Sequence, residues 1–409
     1  MGSKTADIDL LEMIQSFDPR FLGPGFYDDP FPLYAALREH SPIHELPDGG
    51  LFLTRYEDLR TVYKDPSTFS SDKTAAFLPV FGDSLLYQHH TSSLVFNDPP
   101  LHTRVRHLIQ GALTPRAIAH MEQGLTELVD RLLDNVQPGK PFNAIDDFAA
   151  AIPIEIIGNL MNIPADERGP LREWSLAILS ALEPQPTEAM KSAGNAAVAQ
   201  FLDYLKGLVA DRRKRPLDST IDVLTKLIEG TGVTNGLTET ELLQNCIFIL
   251  NAGHETTTNL IGNGIELLLR NPDQRSRLVS HPEYLVTMVE EVLRMESSNQ
   301  LGNRVCTHET RLGGVSIAQG TQLTLCIGAA NRDPKRFDQP DVFDVARTPN
   351  HHLAFASGPH VCAGVNLARL EGKTALGRFT DRFPEAELAE PPVRGQRARF
   401  RGFTRLMIR

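Results

Sequence analysis

Cysteine is scarce in this chain. There are four in 409 residues, Cys246, Cys306, Cys326 and Cys362, and no Cys-x-x-Cys pair. That argues against a disulfide framework and for a reducing compartment. It also argues against structural zinc, which takes several Cys or His ligands at short spacing. Long apolar runs are missing as well: no stretch reaches membrane-spanning length without a charge. The first residues, Met1-Gly2-Ser3-Lys4-Thr5-Ala6-Asp7, offer no apolar signal segment, and Ala6 breaks the myristoylation pattern. Basic charge is in deficit, with 41 Lys and Arg against 51 Asp and Glu. The resulting acidity argues against nucleic acid and anionic membrane as partners. There is no internal repeat or low-complexity tract, and no flavin or nicotinamide fingerprint follows a strand. The expectation left standing is a soluble, cytoplasmic protein. At this length it can bury a sizeable core around a large prosthetic group.

The pattern along the chain is mostly α with smaller β regions. Prolines crowd residues 1–60, where Leu51-Phe52-Leu53-Thr54 reads as a strand. Helices are predicted over 57–67 and 102–136, the second divided by the cap-plus-proline signal Thr114-Pro115. Residues 117–275 read as helical, with breaks near Pro138, Pro153, Pro164, Pro184-Gln185-Pro186 and Gly230–Gly236. Beyond about 300, strand-like pieces alternate with turns, and a last helix is expected from Ala363 to Phe379. Chemical motifs lie in both halves. The expectation is therefore one domain over 1–409, with a β-rich N-terminal portion, a large helical core and a C-terminal cysteine loop.

The densest motif is Phe355-Ala356-Ser357-Gly358-Pro359-His360-Val361-Cys362-Ala363-Gly364. Gly358 and Gly364 permit close backbone approach, and Pro359 stiffens the loop. A helix starting just after Cys362 would direct amide donors at the sulfur and stabilise a thiolate. One thiolate suffices for haem, whose porphyrin supplies four nitrogens, and it favours O–O cleavage. The loop resembles the haem-binding signature of the cytochrome P450 family, with Phe355, Gly358, His360, Cys362 and Gly364 at its expected places. Ala356 stands where the family usually has glycine. The resemblance implies a cytochrome P450-like fold and heme b (iron protoporphyrin IX), with Cys362 as the metal ligand and Phe355 covering the sulfur.

The resemblance spans nearly the whole chain. Glu291-Val292-Leu293-Arg294 looks like the family's Glu-x-x-Arg helix, whose spacing puts both side chains on one face. With Arg347 it would lock the core beneath the haem. His102 and Arg106, at i and i+4, resemble propionate partners, as do Arg304 and His360. In Asn245 to Leu260, Ala252-Gly253-His254-Glu255-Thr256-Thr257 resembles the family's oxygen-binding motif. Ala252 and Gly253 would leave room for dioxygen, Thr256 would hydrogen-bond it or a water, and Glu255 would relay protons. His254 is expected to point away.

The resemblance places substrate-facing positions at Ser92, Phe248, Leu250, Asn299, Leu301 and Phe403, and an apolar lining implies a hydrophobic organic substrate. The polar stretches Tyr87 to Ser93 and Ser297 to Gln300 are read evenly as substrate contacts or solvated loops. Electrons would come from a ferredoxin served by a ferredoxin reductase, steered by Arg104, His107, Arg116 and Arg369 to a monomeric enzyme. The implied activity is that of a haem-thiolate monooxygenase performing hydroxylation, epoxidation or oxidative demethylation. The competing readings are a peroxide-driven haem oxygenase or isomerase, and a non-enzymatic haem sensor.

Overall fold

The computed structural model describes residues 12–137, 139–232 and 236–409. The expectations for residues 1–11, for Pro138 and for the centre of the Gly230–Gly236 break lie outside these.

A 32-residue helix, Glu239–Arg270, runs through the middle of the molecule. Its start is fixed by a capping box: the Thr238 hydroxyl accepts from Glu241 N–H, and the Glu241 carboxylate accepts from Thr238 N–H. Four other helices matter most for the site. In chain order the five are α1 (Leu101–Ala112), α2 (Pro115–Asp134), α3 (Glu239–Arg270), α4 (Leu285–Met295) and α5 (Val365–Arg382). The division of 102–136 falls where predicted. Thr114 caps α2 by accepting from Ala117 N–H, and Pro115 takes the first helical position. Pro153, expected as a break, lies just past the junction where the π-helical turn Ala144–Ala149 passes into the α-helix Ala151–Leu160. The last helix begins at Val365, because Gly364 serves as its cap.

Five short strands make the main sheet: β1 (Ile43–Glu45), β2 (Leu51–Leu53), β3 (Phe69–Ser70), β4 (Leu301–Cys306) and β5 (Gln322–Cys326). Their spatial order is β1-β2-β5-β4-β3. β2 and β5 run parallel, with Phe52 beside Thr324, while β4 and β5 pair antiparallel from Leu301↔Cys326 to Val305↔Gln322. The sheet thus joins residues more than 250 positions apart, which hydrophobic alternation cannot reveal. The early residues carry two three-residue strands beside the helices Pro24–Asp28 and Phe31–His40, so the expectation of a β-rich N-terminal portion is corrected. Those strands complete a sheet whose larger members come from after residue 300.

Glu291 and Arg294 form a fully buried pair on α4, joined twice at 2.8 Å. Arg347 donates to Glu291 at 2.9 Å, and Arg294 also reaches the carbonyls of Asn331 and Pro340. Each charge is met by several partners, which is what makes burial of an ion pair tolerable. This knot ties the irregular segment 331–350 to α4, directly before the cysteine loop.

Candidate active site

The cysteine loop is set by backbone geometry. Cys362 N–H donates to Phe355 C=O at 3.0 Å, closing the loop on itself. Gly358 has φ +69°, and a Cβ there would lie 2.3 Å from the Tyr63 carbonyl oxygen. Ala356 is also left-handed, at φ 58°. The glycine usual at that position therefore answers a real backbone demand, and alanine meets it at some steric cost. The Cys362 thiol lies deep in the protein yet remains accessible. Burial pushes its pKa up, while Gly364 N–H, Arg106 and Arg369 pull it down. Arg369 lies over the Phe355 ring and holds Glu290 through two 2.7 Å bonds.

Four cationic or donor residues gather beside the thiol. The His102 and His360 rings are 3.9 Å apart, and each Nε2 is buried with no partner. Burial, Arg304, His102 and Arg106 push His360 down to about 3. Burial and Arg106 also lower His102. Arg304 donates to the Asn303 carbonyl at 2.7 Å and lies over the Tyr63 ring. Two partnerless imidazole nitrogens and two guanidiniums form a cradle suited to anionic groups.

On α3 the accessibility pattern is informative. Most of its middle is buried, but Phe248, Ala252 and Thr256, at i, i+4 and i+8, are partly or fully accessible. They form one stripe facing an internal cleft. Gly253 is a close approach, since a Cβ there would lie 2.6 Å from Ile157. Thr256 Oγ1 donates to Ala252 C=O at 2.8 Å, leaving its lone pairs free to accept. His254 faces elsewhere, into a small cavity lined by Ile154, Ile157, Leu171, Ser175 and Leu250, and burial lowers it to about 4.

A second stripe on α3 was missed by sequence reasoning. Asn251, Glu255 and Asn259 also recur every four residues. All three are buried, and each carries a side-chain atom without a partner. Such a row of polar atoms suits ordered water. Glu255 pairs with Arg397, which also bonds Glu183 at 3.1 Å. Burial raises the Glu255 pKa and Arg397 opposes it. The four-residue spacing was visible in the sequence, whereas Arg397, 142 residues away, gave no signal.

Several expected pocket residues fall elsewhere. Leu250 lies opposite the cleft stripe, in the His254 cavity. Leu301 is the first residue of β4 and packs in a cluster with Leu37, Phe52 and Ala398. Phe403 is core, 3.9 Å beneath the Arg394 guanidinium. Asn299 and Ser92 are half-buried; Asn299 bridges to Phe400 in the C-terminal loop. The polar stretch Tyr87 to Ser93 is largely structural, with His89 bonded to Gln244 and His90 packed among Phe77, Phe81 and Phe96. Ser297 is likewise structural, bonded to Leu293 C=O and Asn331. Arg104 and Arg369 are matched by Glu241 and Glu290, so neither is a free surface charge. His107 and Arg116 are exposed.

The family model for cytochrome P450 matches residues 172–393. The biotin biosynthesis cytochrome P450 of Bacillus subtilis (strain 168) is 36% identical over 370 residues, covering 89% of this chain and 92% of that protein. The vitamin D(3) 25-hydroxylase of Pseudonocardia autotrophica is 35% identical over 369 residues, 89% of each. The crystal structure of P450BioI in complex with hexadec-9Z-enoic acid ligated acyl carrier protein superimposes with TM-score 0.88 at 33% identity, covering 95% of this chain and 100% of that one. The chain belongs to the cytochrome P450 family. It is a bacterial-type P450 monooxygenase, an enzyme that activates dioxygen and oxidises organic substrates. Among the described residues no helix is long and apolar enough to cross a membrane.

Proposed function

We propose that the chain works as one cytoplasmic haem-thiolate domain that inserts an oxygen atom into a hydrophobic organic molecule. The outcome is hydroxylation, epoxidation or oxidative demethylation, set by which bond the cleft holds in place. The observation carrying this reading is an accessible thiol at Cys362 near two histidines whose buried Nε2 atoms have no partner. The residues fit iron protoporphyrin IX: Cys362 would hold the iron, and His102, Arg106, Arg304 and His360 would take the two propionates. Bound there, the haem supplies the iron chemistry that reductively splits dioxygen with two electrons and two protons, one oxygen leaving as water.

The protein's own part is positioning, exclusion and proton supply. Ala252 keeps the α3 wall low along the accessible stripe, while Gly253 lets the far side of α3 approach Ile157 closely. Thr256 accepts a hydrogen bond from a water in the cleft and passes a proton inward by rotating its hydroxyl. Glu255 exchanges protons with solvent along the polar row of Asn251 and Asn259, and Arg397 holds its carboxylate in place. Phe248 and Ala252 present apolar surface to the substrate. Electrons come from a ferredoxin served by its reductase and docked on the Cys362 side, where Arg116 supplies exposed positive charge.

The test is the reduced carbon monoxide difference spectrum of purified protein. The red-shifted thiolate band is expected, and Cys362→His should convert it to the histidine type. A spectrum indifferent to that substitution, or protein devoid of tetrapyrrole, refutes the reading.

A further inference from the structure

Two carboxylates share one guanidinium beside α3. Arg397 donates to Glu183 at 3.1 Å and also to Glu255. The acid side chains are 9% and 8% exposed, so solvent screens neither charge well. Glu183 lies in the segment joining the helices Leu171–Ser180 and Glu188–Lys214. Arg397 lies between the strands Val393–Arg394 and Phe403–Arg405, and its guanidinium sits 4.8 Å over the Phe400 ring, which restrains it.

The two acids are not served equally. Glu183 accepts from Arg397, from Ala398 N–H at 2.8 Å and from Arg399 N–H at 3.1 Å. Among the described residues Glu255 accepts from Arg397 alone, and its Oε2 is buried without a partner. Arg397 and Glu183 are the charged groups acting on Glu255. His254, its neighbour in sequence, lines the small cavity with Leu250. Arg399, Tyr27 and Tyr34 adjoin Glu183 instead. The Arg399 side chain donates to the carbonyls of Leu182 and Leu301 and to Asn303, and makes no bond to Glu255.

One shared cation cannot neutralise two buried anions. A proton on either acid removes the excess, and it settles on the carboxyl whose charged form has fewer donors. That carboxyl is Glu255. Arg399 offsets charge on the Glu183 side only, which reinforces the asymmetry. We infer that Glu183 is a positioning residue for proton delivery: acting through Arg397, it leaves Glu255 as the carboxyl that carries the proton. Without the Glu183 charge, the guanidinium would serve Glu255 alone and hold it as a carboxylate. With it, the partnerless Glu255 oxygen can bear an O–H for the polar row of Asn251 and Asn259. This rests on the monooxygenase reading above and adds a residue to its proton path.

The test is an infrared pH titration of haem-loaded protein. The carbonyl band of a protonated carboxyl that disappears in Glu255→Gln belongs to Glu255. In the unaltered protein it should persist above the ordinary carboxyl pKa. Glu183→Gln should shift its midpoint to lower pH, because burial and the Arg397 bond stay while the second negative charge goes. Its amide oxygen can still accept from Ala398 and Arg399, so the segment keeps its seat. Glu183→Asp retains the charge and should shift the midpoint less. A merely structural Glu183 gives no shift in either variant. A midpoint that Glu183→Gln leaves in place or raises, or that moves at least as far in Glu183→Asp, overturns the inference. So does the lack of any Glu255 band above the ordinary carboxyl pKa, an outcome that needs no Glu183 variant to fold. The carbon monoxide spectrum and the product formed per electron separate the two levels. A thiolate band and a coupling profile sensitive to Glu255→Gln, with a Glu255 midpoint indifferent to Glu183, defeat this inference alone. A missing thiolate band, or a profile indifferent to Glu255→Gln, defeats the reading beneath it.

Discussion

Removing Arg397 tests whether Glu255 is a working proton carrier or half of a static ion pair. Burial raises the Glu255 pKa, and the charge and hydrogen bond of Arg397 pull it back. In Arg397→Met the burial stays and the compensation goes. A hydrogen bond to a charged partner is worth about 1.5–3 kcal/mol. Losing that compensation should raise the Glu255 pKa further. The measurement is product formed per electron consumed as a function of pH. Glu255→Gln first identifies the limb of that profile that belongs to this carboxyl, because the limb vanishes. In Arg397→Met the same limb should move to higher pH, and Arg397→Lys should move it less. A limb that stays in place while Glu255→Gln abolishes it would refute the electrostatic reasoning. A profile that Glu255→Gln leaves intact would remove Glu255 from proton delivery.

Three further outcomes follow from the geometry. Thr256→Ala should keep the haem spectrum while product per electron falls and peroxide or water formation rises; unchanged coupling would exclude the hydroxyl. Gly358→Ala meets both a left-handed backbone and the Tyr63 carbonyl, so it should cost about 2 kcal/mol or more and reduce haem loading, scored by urea melts and the haem-to-protein absorbance ratio. Glu371 is buried, and burial raises its pKa to about 8, opposed by Thr257. Its neutral form is the one the fold accepts. That stability is fully present below the ordinary carboxyl pKa and declines as pH rises towards 8. Glu371→Gln should flatten this decline, by at most about 4–5 kcal/mol, and parallel stability curves for the two proteins between the ordinary carboxyl pKa and about 8 would disprove it.

Much of the site was legible because local backbone chemistry dictates it. The Cys362 loop needs Gly358 for its φ and clearance, and a closed loop of ten residues carries its whole pattern contiguously. The i, i+4 spacing that joins His102 to Arg106 and Phe248 to Ala252 and Thr256 follows from helical pitch alone. The errors came from facing and from distance. Leu250 lies two residues from the cleft stripe, about half a turn around α3, and so belongs to the opposite wall. Leu301 and Phe403 are apolar and near the right segments, but sheet pairing and core packing turn them inward.

The sequence by itself determined the helical core, the cap and break at Thr114-Pro115, the Glu291–Arg294 pair and the thiol loop, since each is written within a few consecutive turns. Only the tertiary structure decided which charges are matched. Arg397 meets Glu255 across 142 positions and Arg104 meets Glu241 across 137, while Lys73 meets no carboxylate at all. Pairing between distant segments depends on how the helices and the sheet pack, and no local periodicity records it.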